Sequence, residues 1–213
     1  LYPHREVPMP IAAPPVRLAA GALIPARALK TIHGQPVSIP APDRLIHLQF
    51  RRFAGCPVCD LHLHSFARRH GEIRKAGIEE VVIFHSSAKE ILPFAGDLPF
   101  AVIADSRKEL YAEFGIESRW RALLDPRSWP AIAKGVLHSL IRVLRGAQPL
   151  PTMAPAGGRF GLPADFLIAP EGRIAACKYG AHADDQWSAD ELLAIAAARG
   201  VSQRAGSASL PAP

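Results

Sequence analysis

The sequence contains few cysteines and lacks any long hydrophobic run. Three cysteines in 213 residues are too few for a secreted scaffold held together by disulfides. No uncharged apolar stretch is long enough to span a bilayer, and residues 1–15 contain five prolines and no signal-peptide core. We therefore expect a cytoplasmic protein in a reducing compartment, with no membrane partner.

Acidic residues are also scarce, since 19 aspartates and glutamates face 25 lysines and arginines and leave a net charge of +6. A basic surface of this kind can indicate nucleic-acid binding. The arginines are dispersed, however, and aromatic residues, at 7% of the chain, are not interleaved with them. We expect a solvated arginine-rich surface and no nucleic-acid partner.

The length and composition predict one folded domain. Hydrophobic residues make up 49% of the chain, which is enough for one substantial core. Prolines predict a flexible leader at residues 1–16, and small residues predict a disordered tail at 201–213. The domain is then expected at residues 17–200.

Strands and helices alternate along this domain, which predicts an α/β fold. The early strands should be parallel, the last two should form an antiparallel hairpin at one edge, and helices should cover the sheet. An apolar helix at 131–144, inside a block spanning about 128–146, interrupts the alternation and is read as an insertion. The expected strands are 45–53, 80–85, 100–104, 166–169 and 173–179. The expected helices are 56–75, 106–114 and 188–199, and Ser86-Ser87 marks the start of a further helix.

A Cys-Pro-Val-Cys motif lies where the first of these strands gives way to the first helix. Cys56 at a helix N-terminus faces unpaired backbone N–H groups, which favour the thiolate, and Cys59 lies one turn further on. The pair therefore predicts a redox switch. A zinc site with His62 and His64 is the alternative, but these histidines lie about 200° apart around a helix, so no metal is expected.

Three segments resemble the thioredoxin-fold superfamily, and within it the peroxiredoxin-like branch related to alkyl hydroperoxide reductase and thiol-specific antioxidant proteins. They are FRRFAGCPVC at 50–59, GLPADFLI at 161–168 and YGAHADDQWS at 179–188. The resemblance covers roughly residues 16–200. It implies a central mixed sheet flanked by helices.

The resemblance also implies roles for individual residues. Cys56 corresponds to the attacking cysteine and Cys59 to the resolving cysteine, so that the product is a Cys56–Cys59 disulfide. Pro163 matches the superfamily's cis-proline, and Pro57 follows the attacking cysteine as in the branch's Gly-Cys-Pro turn. The resemblance implies an external thiol reductant of thioredoxin or glutathione type, no cofactor, and an assembly that can be a homodimer.

One position departs from the peroxiredoxin pattern, and the arginine that the resemblance implies beside the thiolate is not assigned. Phe53 stands where these proteins carry a threonine or serine whose hydroxyl orients the peroxide. The downstream arginine that supports the thiolate has three candidates, Arg119, Arg121 and Arg127. The adjacent Arg51 and Arg52 end the strand, and strand alternation allows at most one of them to approach Cys56.

These observations predict a thiol-dependent oxidoreductase and leave its substrate open. The family resemblance favours a peroxide, which makes the protein an antioxidant enzyme. The missing hydroxyl at Phe53 favours a disulfide substrate and a thioredoxin-like disulfide oxidoreductase. The remaining hypothesis is a module that senses redox state or binds a partner without turnover.

Overall fold

The computed structural model of the protein describes residues 16–116, 125–146, 148–151 and 155–208. A short 3₁₀ turn, Pro126–Ser128, precedes the fourth helix. The strands are β1 Arg27–Lys30, β2 Pro36–Ile39, β3 Leu45–Arg51, β4 Ile78–Phe84, β5 Ala101–Ala104, β6 Ala164–Ile168 and β7 Ile174–Tyr179. The helices are α1 Pro57–Lys75, α2 Ala88–Ala95, α3 Glu109–Glu113, α4 Trp129–Leu144 and α5 Ala189–Ala208.

Five strands form the central mixed sheet in the order β5-β4-β3-β6-β7. The pairs β3–β4 and β4–β5 are parallel, whereas β3–β6 and β6–β7 are antiparallel. The predicted α/β fold is therefore confirmed, with its parallel early strands and an antiparallel hairpin at one edge. In the turn of that hairpin Gly172 has a φ of +79°, a conformation that glycine adopts without steric cost.

A two-stranded antiparallel hairpin, β1–β2, was not predicted from the sequence. Each strand has four residues, and their side chains alternate between exposed and partly buried, so no apolar run marks them. Ile39 is the fully buried member and joins the main core. An ion pair between Arg27 and Glu113 holds the hairpin to α3.

The helices follow the predicted pattern with two differences in length. Helix α3 is shorter than expected, because Lys108 has a left-handed φ of +57° and the carboxylate of Asp105 accepts the N–H groups of Glu109 and Tyr111. Helix α5 continues to Ala208, through part of the tail predicted to be disordered. The predicted leader, apart from residue 16, and residues 209–213 lie outside the described residues.

One face of β3 is apolar and the other is polar, and the polar face lies beneath the helix that carries the two cysteines. Ile46, Leu48 and Phe50 join the core cluster that α3 and the β1–β2 hairpin help to cover. The alternate residues His47, Gln49 and Arg51 face the side of α1 and α5, where His47 lies against the rings of Phe66 and Trp187. All three polar side chains are completely buried, so a polar stripe crosses the centre of the sheet beneath the helix that carries the cysteines.

Candidate active site

The Cys-Pro-Val-Cys motif begins where a sharp turn leads from β3 into α1. Gly55 has a φ of +77°, and a Cβ at this position would lie 2.9 Å from the ring of Phe94 and 3.1 Å from Pro151. Cys56 is the residue that caps the start of α1, and Pro57 occupies the first turn, where its missing N–H is not needed. The turn thus places the Cys56 sulfur against the positive end of the helix dipole.

The two thiols have different proton affinities. The Cys59 thiol hydrogen-bonds to Cys56, and although burial opposes ionisation, the Arg52 charge and backbone N–H groups support it, which lowers the pKa of Cys56 from 9.0 to about 6. The same hydrogen bond, burial and the Cys56 charge raise the pKa of Cys59. At neutral pH Cys56 is therefore a thiolate and Cys59 a thiol that donates to it.

Arg52 is the cation next to the Cys56 sulfur. Its Nη1 lies 3.8 Å from Sγ, and its Nη2 donates a 3.0 Å hydrogen bond to the carbonyl oxygen of Arg159. The guanidinium groups of Arg52 and Arg159 each lie 5.5 Å from the centroid of the Phe53 ring. Phe53 therefore contributes a cation–π contact to the guanidinium that approaches the sulfur, in place of a hydroxyl.

Arg127, a predicted partner of the thiolate, does not take that role. Its side chain is 77% exposed and lies 3.7 Å from Asp125. Arg119 and Arg121 lie outside the described residues. The prediction that only one of the adjacent Arg51 and Arg52 approaches Cys56 agrees with the structure, because Arg51 points to the opposite face of the strand and binds Asp165.

Pro163 immediately precedes β6 and is buried, but the bond between Leu162 and Pro163 is trans, so the cis prediction is wrong. Among the described residues, the cis peptide bond joins Ile39 and Pro40. The Pro163 carbonyl oxygen accepts a 2.9 Å hydrogen bond from the Gly180 N–H, beside the antiparallel β6–β7 pair. This hydrogen bond forms with the trans isomer, which X–Pro bonds favour over cis by about 0.5–1 kcal/mol.

Helix α4 covers the cysteine pair. Its Ala131 and Ile132 pack against the buried cluster of Phe53, Cys56, Val58 and Cys59. At Gly135 the two helices approach so closely that a Cβ would lie 2.7 Å from the Pro57 carbonyl oxygen. Cys56 is only 2% exposed as a result.

A small cavity of about 10 Å³ lies beside both cysteines and is lined in part by Gly55, Leu63 and Phe94. That volume is at the lower limit for a single water, so a peroxide molecule enters only when the walls of the cavity move. A larger cavity of about 430 Å³ lies elsewhere, between the turn after β1 and the residues that precede β5, and neither cysteine lines it.

A buried network of charged groups, which was not predicted, lies beneath α1. Arg51 Nη2 donates 2.7 Å hydrogen bonds to Asp165 Oδ1 and to Gln49 Oε1. Asp165 also lies 3.1 Å from His47 Nε2 and accepts the backbone N–H of Trp187. The sequence signal was the placement of three polar residues at alternate positions of an otherwise apolar strand, β3.

The network balances its own charges. Burial raises the pKa of Asp165, but Arg51 and His47 outweigh it and hold the pKa well below its usual range. Burial likewise opposes protonation of His47, whereas hydrogen bonds to Asp165 and Glu80 raise its pKa. The Arg51 guanidinium and the Asp165 carboxylate are therefore paired inside the protein, as buried charges require.

The four residues of the alternative zinc site do not come together. His62 is partly buried and packs against Arg51 and the ring of Phe66, with 3.2 Å between its Nε2 and Arg51 Nη2. His64 lies on another side of α1 and faces Asp60 and α4. The cysteine pair therefore does not share a metal-binding geometry with these histidines.

Comparison with known families now identifies the chain. The model of the AhpC/TSA antioxidant enzyme family matches residues 65–182, more than half of the sequence. The chain belongs to this family. The match begins after Cys59, so it rests on the rest of the fold and not on the cysteine pair. No curated protein matches the sequence.

Solved structures agree on the fold of this AhpC/TSA protein. Peroxidoxin BcpB from Mycobacterium tuberculosis is 15% identical with a TM-score of 0.59, over 85% of this chain and 98% of the other. Peroxiredoxin Q from Xanthomonas campestris is 18% identical with a TM-score of 0.55, over 81% and 90%. A reduced 2-Cys peroxiredoxin from Plasmodium vivax is 14% identical with a TM-score of 0.60, over 89% and 86%.

The family and the fold make this a peroxiredoxin-like protein with a thioredoxin-type architecture, as the sequence predicted. Its family consists of antioxidant enzymes, which agrees with the expected thiol-dependent oxidoreductase. Within the described part of the chain, no helix combines the length and the apolar character needed to cross a membrane.

Proposed function

We propose that the protein is a thiol peroxidase in which Cys56 attacks a peroxide and Cys59 resolves the product. The observation that carries this proposal is the environment of the Cys56 sulfur. That sulfur lies 3.8 Å from the Arg52 guanidinium, and the neighbouring Cys59 thiol together with that charge lowers the pKa of Cys56 to about 6. Membership of an antioxidant enzyme family supports peroxide as the substrate.

In the first step the Cys56 thiolate attacks one oxygen of ROOH. A sulfur–oxygen bond forms, the O–O bond breaks, and the sulfur is oxidised to a sulfenic acid while the leaving oxygen departs as RO⁻ and takes a proton. The Arg52 guanidinium lies 3.8 Å from the attacking sulfur. Its N–H groups can therefore stabilise the negative charge as that charge moves from the sulfur to the leaving oxygen. This donor replaces the hydroxyl that Phe53 lacks.

In the second step Cys59 attacks the sulfenic sulfur. The S–S bond forms, the S–OH bond breaks, and the hydroxyl leaves as water, so that two thiols and ROOH yield a disulfide, ROH and water. The Cys56 negative charge is one of the causes that raise the pKa of Cys59. Oxidation of Cys56 to a neutral sulfenic acid removes that charge and favours ionisation of the resolving thiol.

An external dithiol or glutathione then reduces the disulfide and restores both thiols. Reduction requires access to the cysteines, whose side chains lie beneath Ala131 and Ile132 of α4. We therefore include displacement of α4 in the catalytic cycle. In this role α4 admits the reductant to the disulfide only when it has moved away from the cysteines.

Burial of Cys56 also bears on whether the oxidant is a peroxide or a protein disulfide. Disulfide exchange with a partner chain requires an exposed sulfur and a groove for the partner. Cys56 is only 2% exposed, so a small peroxide reaches its sulfur with less displacement of α4 than a partner chain requires. This favours a small peroxide as the oxidant.

The decisive experiment measures the second-order rate of thiol oxidation by hydrogen peroxide, with free cysteine as the reference and peptide mass mapping of the product. We expect a rate orders of magnitude above the reference and a Cys56–Cys59 disulfide. Cys56→Ser should abolish the fast reaction, whereas Cys177→Ser, in a β7 residue that packs against a separate core cluster, should not. A rate near that of free cysteine would reject the peroxidase proposal.

A further inference from the structure

A second group of chemically active side chains lies on the outer side of α1. Asp60 is in the first turn of α1, His64 is one turn further along, and His138 comes from α4. Each offers one ligand atom, and these atoms all lie within 4.8 Å of one another. The cluster therefore joins the helix that carries the cysteines to the helix that covers them.

Two atoms of this cluster are left without hydrogen bonds. Asp60 Oδ2 and His138 Nε2 are buried, and neither has a hydrogen-bond partner among the residues that the structure describes. The two atoms lie 3.7 Å apart, which is too far for a hydrogen bond. The Asp60 side chain is only 10% exposed, so water has little access to it. Since buried polar atoms are almost always satisfied, the pair indicates a place that a further ligand can fill when the neighbouring Arg142 guanidinium, 3.6 Å from Asp60 Oδ2, moves away.

We propose that Asp60, His64 and His138 bind a divalent transition-metal ion, and that Zn²⁺ fits best. Two imidazoles and one carboxylate are ligands that suit zinc, and a water can occupy the fourth position. Ligands at about 2.0–2.1 Å from a tetrahedral ion lie about 3.3 Å from one another. The carboxylate oxygens of Asp60 lie 3.4 Å from His64 Nε2 and 3.7 Å from His138 Nε2, so small side-chain movements complete the site.

Arg142 of α4 occupies the position that the metal would take. Its guanidinium lies 3.6 Å from Asp60 Oδ2 and contacts His64 Nε2. Because arginine can only donate, His64 Nε2 accepts, and it does so with the lone pair that a metal requires. The Arg142 side chain is 24% exposed, which gives it a path into solvent, so the arginine and the metal compete for one site.

A metal at this position would bind α4 to α1 one residue beyond Cys59. Opening of α4 would then require loss of a ligand, and access to Cys56 would depend on metal concentration. Metal binding itself involves no cysteine and does not depend on the peroxidase proposal, so the two can fail separately.

The first test titrates Zn²⁺ into the full-length Cys56→Ser/Cys59→Ser/Cys177→Ser protein by calorimetry, so that thiolates do not contribute. We expect one ion per chain, and affinity about tenfold or more weaker in His138→Gln and Asp60→Asn. His33→Gln, a substitution of an exposed histidine that contacts Gly96, should leave affinity unchanged. Arg142→Gln should bind more tightly than the parent, because it removes the competing cation.

Thermal melting is used to check that each variant is folded. The absorption spectrum of bound Co²⁺ reports the coordination geometry of the metal directly. His138 is 38% exposed, so its substitution is expected to be tolerated. Absence of Zn²⁺ uptake, or uptake with the same affinity in folded His138→Gln, would overturn the proposed site.

The second test follows alkylation of Cys56 in the protein with all its cysteines. If α4 opens only after the ion leaves, alkylation slows up to about 100-fold when free Zn²⁺ is about 100 times Kd. The slowing should disappear in His138→Gln. Equal slowing in His138→Gln would show that Zn²⁺ acts at the thiols, and would reject control of access through this site.

Discussion

The role of Arg52 leads to a quantitative prediction for the ionisation of Cys56. Replacement by glutamine keeps a polar side chain that can hydrogen-bond to the Arg159 carbonyl but removes the positive charge beside the sulfur. We expect the Cys56 pKa to rise and peroxide reduction to slow. The two effects have separate causes, the loss of thiolate and the loss of the donor to the leaving oxygen.

The size of the first effect follows from the structure. The pKa of Cys56 lies at about 6 against 9.0, so the surroundings stabilise the thiolate by about 4 kcal/mol in total. The Cys59 hydrogen bond is the largest contribution, and an adjacent opposite charge shifts a pKa by about 1–3 units. Removal of the Arg52 charge is therefore expected to raise the pKa of Cys56 from about 6 to about 7–8.

The assay is the pH dependence of Cys56 alkylation, with thiolate absorbance as an independent readout. In the wild type the rate should be half-maximal near pH 6, and at pH 7 about 90% of Cys56 should be thiolate. In Arg52→Gln the thiolate fraction at pH 7 should fall to about 10–50%. Raising the pH should restore alkylation of this variant but not its reaction with peroxide.

Arg127→Gln is the matched control, because that arginine is exposed and pairs with Asp125. It should titrate like the wild type. A Cys56 pKa near 6 in folded Arg52→Gln would refute the electrostatic reasoning, and full recovery of peroxide reduction at high pH would refute the role at the leaving oxygen.

Three further substitutions test the rest of the site. Cys59→Ala should raise the Cys56 pKa at least as far as Arg52→Gln, and its reaction with peroxide should stop at a sulfenic acid that dimedone traps. Asp165→Asn leaves Arg51 buried without its carboxylate and should lower the free energy of unfolding in urea by about 3–5 kcal/mol. Gly135→Ala places a Cβ 2.7 Å from the Pro57 carbonyl oxygen, should push α4 away and should speed alkylation of Cys56.

Each of these predictions has a control variant that makes a similar substitution at a position away from the tested contact. Cys177→Ser keeps the redox pair and should leave dimedone labelling at the wild-type level. Asp190→Asn removes an exposed carboxylate paired with Arg69 and should change the free energy of unfolding by no more than about 1 kcal/mol. Gly71→Ala adds a Cβ into open space on α1 and should not affect alkylation. Equal effects in a variant and its control would contradict the corresponding contact.

Local signals in the sequence account for much of the fold. The apolar strands β3 and β4 were placed within a few residues, and Ser86-Ser87 correctly marked the start of α2. Ser87 indeed caps that helix and forms a capping box with Glu90. The position of Cys56 at a helix N-terminus was predictable for the same reason, since it depends on a strand, a turn and a helix that are adjacent in sequence.

Contacts between distant segments were not predictable. His47 and Asp165 are 118 residues apart, and only the antiparallel pairing of β3 with β6 brings them together. Arg142 and Asp60 meet because α4 packs across α1, which periodicity within either helix does not reveal. Arg52 was recognised as one of two candidates, but the choice required the direction of its side chain.

The buried polar stripe of β3 also determines how the sheet is aligned. A shift of β3 by one residue would exchange its two faces, because side chains alternate along a strand. His47, Gln49 and Arg51 would then enter the apolar cluster of Phe114 and Phe166, far from the Asp165 carboxylate, and would lose their partners. Misaligned pairings are thereby penalised by unpaired charge as well as by lost packing. Residues that never touch the substrate thus set the register of the strand whose end leads directly to Arg52 and the Cys56 thiolate.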